Sequence, residues 1–196
     1  MQFTQNIMNL QALNFLHNLN LRIGVLGGTF NPAHEGHLMI SKEALKFYKF
    51  DYIIWLVANQ NPLKNANSKN IFSRARGALE IVDHPRIIIS TAEYDLRDIY
   101  IYDSLKALIK RFPTIEFSWL MGIDNTASFR KWYRYKDIPK LCNIIIFDRP
   151  VSTRLVNSAP FLLKSKGILA KTQTNNIIVH RKSLCTVSST RIRANE

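Results

Sequence analysis

The sequence predicts an α/β fold: an open, Rossmann-like parallel sheet with helices on both faces. Two observations carry this prediction. Apolar runs such as Ile53-Ile54-Trp55-Leu56-Val57-Ala58 and Ile144-Ile145-Ile146-Phe147 are continuous rather than alternating, the pattern of strands buried on both sides. Segments of helical periodicity separate these runs, and strands that alternate with helices pair in parallel.

The elements follow in order. Leu21-Arg22-Ile23-Gly24-Val25-Leu26 reads as a buried strand stopped by Gly27-Gly28. Glu35 to Tyr48 reads as a helix with Leu38, Ala44, Leu45 and Tyr48 on one side. A second strand from Asp51 to Ala58 runs into a polar loop from Asn59 to Asn70. Helix is expected from Phe72 to Val82, strand at Ile87-Ile88-Ile89-Ser90, and helix again from Tyr102 to Arg111. Ile115 to Met121 is a strand and Ser128 to Tyr135 a short helix. Asn143 to Phe147 and Asn176 to His180 are further strands, and Ser188 opens a final helix. Residues 21–196 thus form a single domain. Residues 1–20 are read as an extension of unknown role: they hold no Lys, Arg, Asp or Glu, and Ile7, Leu10, Leu13, Leu16 and Leu19 allow a short surface helix.

Composition excludes several classes. With 196 residues, 46% hydrophobic and 21% charged, the chain is globular and large enough for a core without staples. Two cysteines, Cys142 and Cys185, make neither a disulfide framework nor a metal site and suit a reducing compartment. No apolar run is long enough to span a bilayer. A cytoplasmic protein with no membrane association is the expectation. The net charge of +13 is uneven: residues 130–196 carry +11 of it, which points to an anionic partner such as nucleotide phosphates, or to a plainly solvated basic face.

The chemistry concentrates after the first strand, where open α/β sheets bind ligands. There the chain reads Gly27-Gly28-Thr29-Phe30-Asn31-Pro32-Ala33-His34-Glu35-Gly36-His37. Two glycines allow a sharp turn and close approach to a phosphate, and the helix that follows offers free N–H groups to an anion. His34 and His37 are three residues apart and share a first turn. The stretch is neither a dinucleotide-binding GxGxxG nor a P-loop, and a zinc site would lack its third ligand. Near the other end, Ser188-Ser189-Thr190 before an Arg-containing helix can cap that helix or bind phosphate, and Arg193 lies one turn on.

Gly28-Thr29-Phe30-Asn31-Pro32 with His34-Glu35-Gly36-His37 resembles the HxGH signature of a nucleotidyltransferase superfamily. Val187 to Arg193 resembles its second signature, ISSTxxR. Asn61-Pro62-Leu63-Lys64, Gly122-Ile123-Asp124, Phe129-Arg130-Lys131-Trp132-Tyr133 and Phe147-Asp148-Arg149-Pro150 resemble segments of one branch, the bacterial nicotinate-nucleotide adenylyltransferases. The resemblance implies the nucleotidylyl transferase type of Rossmann-like fold and transfer of AMP from ATP to nicotinate mononucleotide. It implies phosphate contacts from Gly27, Gly28, Thr29, Phe30, Lys64, Ser188, Ser189 and Thr190, with His34, His37 and Arg193 as the catalytic group. It implies mononucleotide contacts from Asn31, Tyr100, Asp124, Trp132 and Arg149, with Trp132 stacked on the pyridine ring. Mg²⁺ would be held through phosphates rather than in a protein cage.

Departures from the branch are Ile99-Tyr100-Ile101 in place of Ser/Thr-Tyr-Thr, and Leu63 where His is usual. They leave open another acceptor (nicotinamide mononucleotide or, further off, phosphopantetheine) or a non-catalytic nucleotide- or RNA-binding relative. Nucleic acid is not the expected partner, and a homo-oligomer remains open.

Overall fold

The computed structural model describes residues 7–59, 70–97, 100–148 and 176–180. Their strands are β1 (Ile7–Met8), β2 (Arg22–Gly28), β3 (Tyr52–Val57), β4 (Ile87–Ser90), β5 (Glu116–Gly122), β6 (Asn143–Phe147) and β7 (Ile177–His180). The helices are α1 (Glu35–Tyr48), α2 (Ile71–Ile81), α3 (Ala92–Leu96), α4 (Ile101–Arg111), α5 (Thr126–Phe129) and α6 (Ile138–Leu141). All seven strands join one sheet in the order β1-β4-β3-β2-β5-β6-β7, and every pairing is parallel. The chain works outward from β2 through β3 and β4 to one edge, then returns to β5 beside β2 and works outward the other way. That reversal leaves a crevice beyond the carboxyl ends of β2 and β5, where such sheets bind ligands.

The continuous apolar runs have the cause expected of them. Ile23, Val25, Ile54, Leu56, Phe117, Trp119, Met121, Ile144 and Ile146 face one core, with Leu105 and Leu108 of α4. Leu26, Ile53, Trp55, Val57, Leu120, Ile145 and Phe147 face the other, with Leu38, Ala44 and Leu45 of α1. Successive strand side chains point to opposite faces, so a sheet covered on both sides favours apolar residues at nearly every position, Ser90 and Ser118 being buried exceptions here. No helix among the described residues is long and apolar enough to cross a membrane.

Two expectations are corrected. The stretch 1–20, read as an extension with a surface helix, is built into the domain from residue 7 onward. β1 pairs with β4, and a short 3-10 helix at Ala12–Leu16 buries Leu13 and Leu16 completely. Its charge-free composition is that of a segment laid on a core. The helix expected from Ser128 to Tyr135 ends at Phe129. Turns follow, Arg134 adopts a left-handed conformation at φ 50°, and α6 starts afresh at Ile138 with Pro139 in its first turn. Three large aromatics, Trp132, Tyr133 and Tyr135, pack in different directions there, which one helical face could not accommodate.

The remaining elements lie within about two residues of their expected ends, except the final helix from Ser188, which lies outside the described residues. α3 was not expected at all: five residues are too few to show helical periodicity.

Candidate active site

The turn after β2 and the first turn of α1 meet at the crevice. His34 is the N-cap of α1, and its Nδ1 accepts from the Gly36 N–H at 3.1 Å. His37 answers in kind, its Nδ1 accepting from the His34 N–H at 3.2 Å. Each imidazole replaces one half of the Ser/Glu pair that usually caps a helix start, and together they satisfy two amide donors. A ring nitrogen that accepts carries no hydrogen, so the neutral tautomer compatible with both bonds has its proton on Nε2. The two rings lie 3.9 Å apart between centroids. Both histidines therefore bring an N–H donor and the positive end of the α1 dipole to one place, which suits an anion. His34 is buried and His37 half-buried, so His37 is the more accessible of the two.

The packing behind His37 was not legible in the motif. Phe30 stacks on Trp55 at 5.1 Å and 9°, and both rings lie against His37, at 4.8 and 5.8 Å. The Trp55 indole donates to Ser41 Oγ at 2.7 Å, and Ser41 donates to the His37 carbonyl at 2.9 Å. Trp55 was visible in the sequence only as one apolar residue in a run, and Ser41 carried no signal at all.

The structure also redistributes the work expected of this turn. Phe30 was expected among the phosphate contacts; the structure buries the residue to 2% exposure, with its ring stacked on Trp55. Phe30, not a glycine, takes the left-handed turn, at φ 48°. Burial of the ring, about 1.5–3 kcal/mol, offsets the roughly 1–2 kcal/mol that this conformation costs. Gly27 is required for a different reason: a Cβ there would lie 1.8 Å from the Trp119 ring. Gly28 has room, a Cβ meeting Phe30 at 3.5 Å.

Two buried charges were missed entirely. Arg74 on α2 donates to the carbonyls of Thr29 at 2.6 Å and Ala58 at 2.7 Å, and Glu93 on α3 accepts from the Asn59 N–H at 2.9 Å. Burial lowers the Arg74 guanidinium from its ordinary range, and the Glu93 carboxylate nearby pulls it back up. Arg74 two residues from Arg76, and Glu93 two residues from Asp95, look like members of solvated charged faces, so the sequence did not mark them.

On the far side of the crevice Asp124 is exposed in a 3-10 turn directly after β5. Tyr100, at the N-cap of α4, lies 4.6 Å from the exposed Tyr133, with Tyr102 at 6.3 Å from the same ring. The Arg134 guanidinium sits 4.4 Å over Tyr102 and donates to Asp137 at 3.0 Å. Trp132 is half-buried, packed edge-on against Trp119 at 6.3 Å and tilted against Phe129 at 5.2 Å. Asn31 and Thr29 are half-exposed beside the histidines. Lys64, Arg149, Ser188, Ser189, Thr190 and Arg193 lie outside the described residues.

A parallel sheet with this reversal, and a paired-imidazole cap beyond its central strand, agrees with what the sequence matches. The cytidylyltransferase-like pattern fits residues 25–195. The chain belongs to the cytidylyltransferase-like family. Curated members similar to it include a Ruegeria sp. (strain TM1040) protein named "Probable nicotinate-nucleotide adenylyltransferase". That protein is 40% identical over 142 residues, which cover 71% of this chain and 75% of the relative. A Parvibaculum lavamentivorans protein of the same name is 41% identical over 141 residues, covering 71% and 70%. Among solved structures, the nicotinic acid mononucleotide adenylyltransferase of Plasmodium falciparum, complexed with APC, superposes with a TM-score of 0.64. At 16% identity over 89% of this chain and 83% of that one, it shows a shared cytidylyltransferase-like fold.

Proposed function

We propose that this chain is a nicotinate-nucleotide adenylyltransferase, transferring AMP from ATP to nicotinate mononucleotide and releasing pyrophosphate. The observation that carries the reading is the reciprocal cap of His34 and His37, which turns both Nε2 positions into donors at a helix N-terminus. Relatives about 40% identical over 71% of the chain bear that activity in their names.

The reaction asks for what this site supplies. A 5′-phosphate oxygen of the mononucleotide attacks the α-phosphorus of ATP. A new P–O bond forms, the bond from the α-phosphorus to its bridging oxygen breaks, and pyrophosphate leaves. The attacking oxygen is already ionised, so no general base and no covalent intermediate is required. The work is alignment and stabilisation of charge. His37 Nε2–H, with His34 behind it, donates to triphosphate oxygens on which charge accumulates. Gly28 and Thr29 offer their backbone at the same turn. Lys64, Ser188, Ser189, Thr190 and Arg193 add donors from the family's other motifs.

The donors brought together here are imidazole and amide N–H groups, which bind phosphate oxygens rather than cations. These residues therefore suit Mg²⁺ that arrives on the triphosphate, where it neutralises phosphate charge. Tyr100 and Tyr133, 4.6 Å apart, would receive the pyridine nucleotide, with Asp124, Asn31 and Trp132 as further contacts and Arg149 supplying charge for the nicotinate carboxylate.

The test is pyrophosphate release from ATP and Mg²⁺ with nicotinate mononucleotide and nicotinamide mononucleotide in parallel. Release with the nicotinate compound, lost at least about 100-fold in His37→Ala with the fold retained, is expected. Release only with the nicotinamide compound reassigns the acceptor. Release with neither refutes the reading.

A further inference from the structure

Arg74 and Glu93 are each 4% exposed, and neither belongs to a motif of the proposed reaction. Together they occupy the place where the β2–β3 ladder runs out. The last ladder-like bond there is from the Ala58 N–H to the Gly28 carbonyl at 2.9 Å. Beyond it the guanidinium takes over. Its Nη1 donates to the Thr29 carbonyl at 2.6 Å, and its Nη2 donates to Ala58 at 2.7 Å and Asn59 at 3.3 Å. Glu93 holds the same region from the other side, accepting from the Asn59 N–H at 2.9 Å and from Ser104 Oγ of α4 at 3.1 Å.

Three facts separate this pair from ordinary core packing. A buried guanidinium and a buried carboxylate are each costly to desolvate, and apolar side chains of the same volume often serve stability as well or better. The guanidinium fork reaches carbonyls of two different segments, which a point charge cannot bracket in the same way. And the carbonyl of Thr29 belongs to the planar peptide whose N–H is that of Phe30. A trans peptide points its N–H opposite to its C=O, so binding the carbonyl fixes the direction of the Phe30 N–H. The next residue-level anchor is the Phe30 ring, locked on Trp55 at 5.1 Å. The turn between β2 and α1 is thereby held at a peptide and at a ring, and both anchors sit just ahead of His34 and His37.

We propose that Arg74, backed by Glu93, is a positioning residue for phosphate binding: it orients the Thr29–Phe30 peptide and ties it to the exit of β3. This rests on the adenylyl-transfer reading. Arg74 touches no substrate. It acts through the turn that does, where a displacement near 1 Å is enough to cost about 100-fold in rate.

The experiment compares Arg74→Lys and Glu93→Gln with the parent, in the full chain, under saturating Mg²⁺–ATP and varied nicotinate mononucleotide. Lysine keeps the charge beside Glu93 and loses the fork. Glutamine keeps an acceptor for Asn59 and loses the charge that anchors Arg74. Expected is a fall in kcat of at least about tenfold in Arg74→Lys and a smaller fall in Glu93→Gln. KM for the mononucleotide should stay within twofold of the parent, and the circular-dichroism melt should remain cooperative.

A folded Arg74→Lys with kcat within twofold of the parent overturns the proposal. So does a loss of kcat that only tracks the folded fraction, or failure of both variants to fold, since the pair then serves stability alone. Absence of turnover in the parent is the separate failure of the functional reading. In that event Mg²⁺–ATP affinity decides, and equal affinity of parent and Arg74→Lys overturns the positioning role.

Discussion

Gly27→Ala isolates a packing role that the Gly-Gly motif does not show. In a Gly-Gly turn at a nucleotide site, both glycines look as if they admit a phosphate. The structure gives Gly27 a packing role as well. An added Cβ would stand 1.8 Å from one atom of the Trp119 ring and 2.7 and 2.8 Å from two more. Ordinary carbon contacts begin near 3.5 Å, so ring and strand must separate by roughly 1.7 Å.

Trp119 cannot simply swing away. It is 1% exposed, lies on β5 beside β2 with Val25 as its register partner, and carries Trp132 edge-on against it. Overpacking of this kind costs about 1–3 kcal/mol, and a chain of this size loses about 2–4 °C per kcal/mol. The melting temperature of Gly27→Ala should therefore fall by roughly 2–12 °C. Gly28→Ala, whose Cβ meets Phe30 at 3.5 Å, should melt within about 2 °C of the parent.

Thermal melts of the two alanine variants and of Gly27→Ala/Trp119→Leu make the assay. The double variant removes the ring that the methyl strikes, so it should be more stable than the sum of the single effects by at least about 1 kcal/mol. Additivity of the two changes, or a Gly27→Ala melt indistinguishable from the parent, would refute the packing assignment.

Two further outcomes follow from the site and from the core. His34→Asn keeps an N-cap acceptor for the Gly36 N–H, so it should lose under about 1 kcal/mol in a denaturant melt. It should nevertheless lose turnover, because Asn lacks the second ring nitrogen; full activity in this variant would disconnect the cap from phosphate binding. Burial pushes the Cys142 thiol up to about 11, with a backbone hydrogen bond from Trp119 pulling weakly the other way. At pH 8 about one molecule in 1,000 then carries the thiolate, against about one in four for an ordinary thiol, before any steric protection. Alkylation of a Cys185→Ser variant at pH 8 should thus be at least about 100-fold slower than that of free cysteine, and should speed up tenfold per pH unit toward 11. A rate near that of free cysteine would place Cys142 at the surface.

What the sequence determined by itself was periodic or contiguous. Continuous apolar runs marked strands buried on both faces, because covering a sheet twice leaves few positions facing water. Two histidines three residues apart, straight after such a strand, marked the helix start beyond the sheet where their rings meet, because the motif is local. What only the tertiary structure decided came from contacts distant in sequence. It turned residues 7–16 from an extension into a strand and a core helix, since their partners β4 and α4 lie some 80–100 residues on. It moved the sharp turn from a glycine to Phe30 and gave Gly27 to Trp119. It also placed Arg74 and Glu93, on separate helices, at the Ala58–Asn59 peptide just beyond β3, with Arg74 also on the turn after β2. A side chain's role is written in its own neighbourhood only when its partners are its neighbours. For Arg74, Trp55 and Trp119 the partners are residues that only folding brings within reach.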